Sequence, residues 1–404
     1  MNSNKKIFTM GGLIILAIIV GGGIYLSFHK GFTPISPKLT DLSSSSSSTP
    51  SETGATLTGT AQATATASAT APETPSITTP IRTTSGSATN RSQSPVTQPS
   101  LPKATTPAPV ATPLPEGTDQ FTIELNGTTS DVVAQNLQDN GFITDQNSFI
   151  TAATKAKTNF APGAYKLSNT MTPQQILAVL NGSPYMKWLI IPEGLRKEEI
   201  ATLLAKTLNW TTAKKQEFIT ATNVDPNYSE GVYFPDTYLI PVAEAPKDVA
   251  NRLIAKFNEK FGALLPQFNS QNIKWTSGLT LASIVQREAS NDADTALIAG
   301  ILWNRLDQNM PLDVDATLQY VRGNTGAGFW APITVADKKT DSPYNTYIHT
   351  GLPPHPISNP GIPAIKAVLN PASTTCLYYL HDVHRVTHCA TTYEEHMANI
   401  QKYL

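Results

Sequence analysis

An α+β fold carried on a single-pass membrane anchor is the architecture this sequence predicts, and three observations predict it. Twenty-two uncharged residues run from Ile7 to Phe28. A Ser/Thr/Pro/Ala-rich stretch comes next, and from residue 119 onward strand-like segments alternate with amphipathic helical ones.

The first segment is long enough to cross a bilayer, since a helix over residues 7–28 rises about 1.5 Å per residue and spans roughly 33 Å. Lys5 and Lys6 precede it, which favours a cytoplasmic N-terminus (residues 1–6) with the rest of the chain on the outer face of the plasma membrane. A cleaved signal peptide is the alternative. The long apolar core and the lack of a clear small-x-small site disfavour it.

Residues 29–118 read as a disordered stalk. Between 41 and 110 only Asp41, Glu52, Glu73, Arg82, Arg91 and Lys103 are charged. Such a stretch cannot bury enough apolar surface to offset its conformational entropy. A glycosylated, mucin-like stalk on a cell surface has the same composition.

The 404 residues carry a net charge of −1, but residues 119–404 alone hold 22 basic and 26 acidic groups. A mildly acidic domain without Lys/Arg runs excludes nucleic acid as the main partner. Two cysteines exclude a disulfide-dense mini-protein.

Within the folded part a strand-helix unit recurs. Phe121–Leu125 leads through Gly127 to the helical stretch TTSDVVAQNL, and Trp188–Pro192 leads through Gly194 to LRKEEIATLLAKTL. Gly127/Gly194, Ala134/Ala201 and Leu137/Leu204 match at an offset of 67 residues. A third helix over Met171–Leu180 has Thr170 or Thr172 as its cap. Chance similarity within an ordinary α+β scaffold is the alternative. After Glu230 the texture turns to Gly/Pro/aromatic segments, two longer helices, long loops, a hairpin and a terminal helix.

One carboxylate is out of place. In LASIVQREAS, Leu281, Ile284 and Val285 form an apolar stripe whose next position is Glu288. Burial there would raise its pKa, as a general acid working near neutrality requires. A structural pairing with Arg287 or a loop cation is the competing reading. Glu193 and Glu198 flank a helix start, where the dipole favours acids. Asp236 and Asp315 have hydroxyl and amide neighbours that suit either sugar binding or a turn. His381, His384 and His388 would line up for a metal only on a helix, and their flanks read as a hairpin, so no metal site is expected.

Six segments together resemble a known family. IPEGLRKEEIA (191–201), EGVYFPDTY (230–238), LASIVQREA with AGILWNRL (281–306), LDVDATLQY (312–320), SPYNTY with GLPPHPISNPG (342–361) and LYYL with HCATTYEEH (377–396) occur in the order seen in the YceG-like, or MltG, endolytic murein transglycosylases. The resemblance covers roughly residues 119–404. It implies a LysM-like strand-helix portion over 119–229 and a mixed α+β catalytic domain over 230–404. It further implies a membrane-anchored lyase that cuts nascent peptidoglycan strands between N-acetylmuramic acid and N-acetylglucosamine, leaving 1,6-anhydro ends and terminating elongation. The implied partners are peptidoglycan glycan strands, the membrane through the N-terminal helix, and a complex with cell-wall synthases. No cofactor is implied.

By the same resemblance the catalytic residue is Glu288, and Tyr344, Asn345, Asp315, Thr317 and Gln319 bind substrate. Gln286 stands where many relatives have a second acid, and Ala316 where many have proline. A single acid suffices for such a reaction, because the muramyl C6 hydroxyl replaces the water that a second carboxylate would activate in a glycosidase. A non-catalytic wall-binding or scaffold protein, with Glu288 merely structural, is the alternative function, and a stalked adhesin a third. Cys376 and Cys389 lie equidistant from a turn at Asp382–Val383. A hairpin closing there would set them opposite one another at disulfide distance, two small buried hydrophobes being the other reading.

Overall fold

The computed structural model describes residues 17–20, 23–26, 95–104, 114–221 and 230–404. Of the expected membrane span, only Ala17–Val20 (β1) and Gly23–Leu26 (β2) are described, and they form an antiparallel pair instead of a helix. Runs rich in Ile and Val favour extended backbone where no bilayer imposes a helix. The rest of the span and most of the stalk lie outside the described residues. Among the described residues no helix is long and apolar enough to cross a membrane.

The remainder is a mixed α+β fold. Asp119–Ile123 (β3), Gly163–Leu167 (β4), Met186–Ile190 (β5) and Thr237–Pro241 (β6) form an antiparallel sheet in that order. β3 with β4 and β5 with β6 pair over five residues each, whereas β4 and β5 meet only at Ala164 and Met186. The strand-helix repeat is present: β3 precedes Ser130–Asp139 (α1) and β5 precedes Lys197–Leu208 (α4), with both strands and helices starting 67 residues apart. Ala134, Leu137, Ala201 and Leu204 are all fully buried, so the matched positions are the core-facing ones.

The two units nevertheless pack into different cores. The first core gathers β3, α1, Gln146–Lys155 (α2), β4 and Pro173–Leu180 (α3). Residues from Leu189 to Leu369 share the second. The second unit, including α4 and Thr212–Ala221 (α5), therefore packs with later elements of the chain, and the two hydrophobic cores divide before β5. A capping box at Thr172 and Gln175 starts α3 and satisfies two otherwise orphaned amides.

The larger core is helical. Pro246–Gly262 (α6), Leu265–Ser270 (α7), Trp275–Glu288 (α8), Thr295–Asp307 (α9), Asp315–Arg322 (α10) and Ile362–Leu369 (α11) surround Trp275, Trp303, Phe257 and Phe261, all fully buried. Tyr378–His381 (β7), Thr387–Ala390 (β8) and Tyr393–Tyr403 (α12) complete the chain.

Part of the expected stalk is docked on this core. In residues 95–104 the Val96 amide donates to Asn272 (2.7 Å) and the Gln98 side chain donates to the Ile273 carbonyl (2.8 Å). Gln98 and Pro99 in turn accept from the Trp275 backbone and indole N–H groups (2.9 and 2.7 Å). Prolines leave carbonyls free of local partners, so a Pro-rich segment can satisfy polar groups at a helix start.

Candidate active site

The family-like motifs first build a frame. Asn359 is fully buried and joins three of them. Its Oδ1 accepts from the Tyr233 amide (2.8 Å), and its Nδ2 donates to the Leu195 carbonyl (2.9 Å) and to Glu230 (2.5 Å). Glu230 also accepts from the Lys197 amide at the start of α4 (3.1 Å). Burial pushes the Glu230 carboxyl up to about 8, assisted by the nearby Glu198 charge. Ser283 of α8 accepts from the Ile357 amide (3.0 Å), fixing the GLPPHPISNPG loop to the helix.

On α9 the run AGILWNRL is a clamp. A side chain at Gly300 would collide with the Ala372 carbonyl, so glycine lets the irregular segment leading to β7 approach the helix closely. The Trp303 indole donates to the Val368 carbonyl (3.0 Å), and Asn304 donates to the Thr374 and Cys376 carbonyls (2.7 and 3.0 Å). Arg305 donates to the carbonyls of Leu377 (2.6 Å), Pro311 (2.9 Å) and Leu312 (3.1 Å).

These constraints converge on Glu288. Leu281, Ile284 and Val285 are fully buried, and Glu288 ends the same stripe as the last residue of α8. Protein atoms surround its carboxyl group densely, yet the residue as a whole keeps partial solvent exposure. Burial raises its pKa. The Asp315 charge raises it further, while the Tyr379 hydroxyl, Arg287 and the Ala316 backbone N–H act in the opposite direction. The negative end of the α8 dipole disfavours the anion, and the N-terminus of α10, carrying Ala316, favours it.

Tyr379, on β7, donates to Glu288 Oε2 at 2.7 Å. Asp315 is exposed at the start of α10, where the Tyr347 hydroxyl donates to its Oδ1. Arg287 lies on the Trp330 ring, 3.9 Å from its centroid, and the Trp330 indole donates to Glu199 (2.9 Å).

The other expected substrate binders separate into two groups. Tyr344 is half-buried with its ring on Tyr320 (5.2 Å between centroids), and burial pushes its hydroxyl up to about 12. Asn345, Thr317 and Gln319 instead use their polar groups inside the fold. Asn345 is fully buried, donating to the Lys338 and Thr340 carbonyls (3.1 and 2.8 Å) and accepting from the Tyr347 amide (3.0 Å). Thr317, also fully buried, donates to the Val314 carbonyl (2.7 Å), and Gln319 donates to the Trp330 and Ala331 carbonyls (both 3.2 Å). Buried polar atoms must be paired, and here the loops themselves supply the partners. Asn345 thus orients Tyr347 through its side-chain oxygen. A cavity of about 570 Å³ lined by Asp341, Pro343, Asn345, Thr346, Ile348 and His349 adjoins this loop and does not include Glu288.

Cys376 and Cys389 are joined by a disulfide with Cα atoms 5.8 Å apart. The hairpin does not close at Asp382–Val383. Cys389 pairs with Tyr379, and the Asp382 amide donates to the Val386 carbonyl (3.1 Å), so the turn is longer and centred later. Asp382 makes it so: its carboxylate accepts from the amides of His384 and Val386 (2.8 and 2.9 Å) and lies 3.0 Å from His388. His381, His384 and His388 are thereby spread over strand, turn and strand. Among the described residues no cluster of three or more His, Cys, Asp or Glu is arranged to hold a metal.

Sequence alone singles out neither Tyr347 nor Tyr379. Tyr347 lies within the SPYNTY run, while Tyr379 in LYYL carries only the aromatic signature of a half-buried strand.

The model of the YceG-like family matches residues 121–402. A protein of Streptococcus pneumoniae named endolytic murein transglycosylase is 27% identical over 285 residues, 62% of this chain and 52% of the relative; the chain thus spans about half that protein's length. A Bacillus subtilis protein of the same name is 28% identical over 316 residues, 72% of this chain and 87% of the relative. The crystal structure of a yceG-like protein from Listeria monocytogenes, 25% identical, covers 70% of this chain and 99% of its own with a TM-score of 0.51.

Proposed function

The chain belongs to the YceG-like family, and from that premise we propose that it is an endolytic peptidoglycan lytic transglycosylase whose acid–base residue is Glu288. The observation that carries this reading is the setting of Glu288: a carboxyl group with a raised pKa, partly open to solvent, and held by a hydroxyl from another element. Its protonated form persists to higher pH than that of a free glutamate, the direction a general acid requires.

In the proposed reaction Glu288 gives its proton to the glycosidic oxygen as the bond from muramyl C1 to that oxygen breaks. The resulting carboxylate then takes the proton of the muramyl C6 hydroxyl as the C6 oxygen bonds to C1. Glu288 ends protonated as it began and no water is consumed. Holding the hydroxyl on the same sugar makes ring closure unimolecular. Tyr344 offers a half-buried ring and hydroxyl for sugar contact, and Asp315 and Tyr347 stand beside the acid.

We further propose that residues 7–28 anchor the chain in the plasma membrane, with the enzyme on its outer face and new glycan strands as substrate. The LysM-like label for the strand-helix portion, and a complex with wall synthases, belong to the same reading. Mass spectrometry of glycan strands incubated with the full chain tests it. The expected products end in 1,6-anhydro sugars and vanish with Glu288→Gln at unchanged melting temperature. Binding without cleavage by both proteins would instead establish a wall-binding role. Products heavier by one water would identify a hydrolase using Asp315, whose charge already acts on Glu288.

A further inference from the structure

We propose that Tyr379 is a positioning residue which assigns the acid proton of Glu288 to Oε1 and holds the carboxylate left after that proton is given. The inference rests on the transglycosylase reading and adds to it a device on the C-terminal hairpin.

The geometry supports it at three levels. The Tyr379 hydroxyl donates to Oε2 at 2.7 Å, so a lone pair on that oxygen is engaged and the proton of the neutral acid belongs on Oε1. Burial and the neighbouring Glu288 hold the Tyr379 phenol well above its ordinary range, so it remains a donor throughout the working pH span. The strand carrying it is pinned on both sides. Arg305 and Asn304 hold the carbonyls of Leu377 and Cys376, and Cys389, directly across from Tyr379, is bonded to Cys376. A hydroxyl mounted on so constrained a strand keeps one carboxylate rotamer.

The other groups acting on Glu288 are the Asp315 carboxylate and the Ala316 N–H from α10, and Arg287 from α8 itself; Tyr347, from the 342–350 loop, faces the same cluster. Tyr379 is the neutral side chain whose hydroxyl touches the carboxylate directly. A hydrogen bond to a charged acceptor strengthens as charge develops, so this contact favours the anion formed when Glu288 donates its proton.

The test uses the full chain with selectively ¹³Cδ-labelled glutamate, the Glu288 signal being assigned with Glu288→Gln. In Tyr379→Phe the Glu288 titration and the basic limb of the kcat/KM profile should both move to higher pH, with kcat reduced about tenfold and KM little changed. Replacing Tyr379 by 3-fluorotyrosine, a stronger donor of nearly equal size, should move both in the opposite direction. A titration and limb that stay in place in both variants, at unchanged melting temperature, would overturn the proposal. The titration is read without substrate, so it stands even if the wild-type chain cuts no glycan; that outcome would overturn the functional reading instead.

Discussion

The guanidinium of Arg305 lies 2.8 Å from the Asp313 carboxylate, and the same side chain holds the backbone of both segments that lead to the surroundings of Glu288. One arm leads through Leu377 to Tyr379, the other through Leu312 to Asp315. Asp313 is well exposed, so the ion pair itself contributes little. The carbonyl bonds matter more, because they end inside the fold. Arg305→Lys cannot reproduce a planar fork with several donors. It should cost about 2–3 kcal/mol in denaturant unfolding, and a midpoint matching wild type would refute this role.

Asp315 raises the pKa of Glu288 through its charge. Removing that charge with Asp315→Asn should therefore lower it. Glu288 acts as an acid while protonated, so activity falls as pH rises through its folded pKa. The basic limb of kcat/KM should move to lower pH in this variant, opposite to the shift expected for Tyr379→Phe. A limb moving upward would mean that Asp315 acts through Tyr347 and not through charge.

Glu230 links pH to stability in a calculable direction. Its folded pKa of about 8 lies well above the value of a free glutamate, so between the two the folded chain binds a proton that the unfolded chain has released. The stabilisation is fully present below the unfolded value and is lost as pH rises toward 8. Glu230→Gln keeps the shape of the side chain and removes the titration. Urea midpoints of wild type and variant should converge near pH ~5 and separate by pH ~9, with the variant higher. Parallel curves would show that Glu230 does not titrate in this interval.

The disulfide closes 13 residues of sequence around the β7–β8 turn. Chain-entropy arguments put such a loop at up to about 3 kcal/mol, with the unfolded state carrying the effect. The paired change Cys376→Ser with Cys389→Ser should lower the denaturation midpoint accordingly. Protein purified without reductant should show no free thiols on alkylation and mass measurement.

Much of the site is legible in the sequence where periodicity and burial agree. Glu288 stands out because a carboxylate interrupts a helical apolar stripe, and the strand-helix repeat because small and apolar residues recur at core-facing positions. Contacts between distant segments are hidden. Asn345 and Thr317 enter as substrate binders through the family resemblance alone, and the sequence does not show that they hydrogen-bond to backbone groups that only the folded loops bring near. Tyr379 is hidden for the opposite reason: its ring fits a strand pattern and its hydroxyl leaves no sequence trace. The docked segment 95–104 shares its composition with the stalk around it. The groups waiting for it at Asn258, Asn272, Ile273 and Trp275 distinguish it.

That docking ties a segment N-terminal to the sheet directly to the start of the helix that bears the acid. Trp275, which the docked residues grip, is the first residue of α8, and Glu288 is the last. Tension transmitted from the N-terminal side would therefore reach the helix bearing the acid before it reached the sheet.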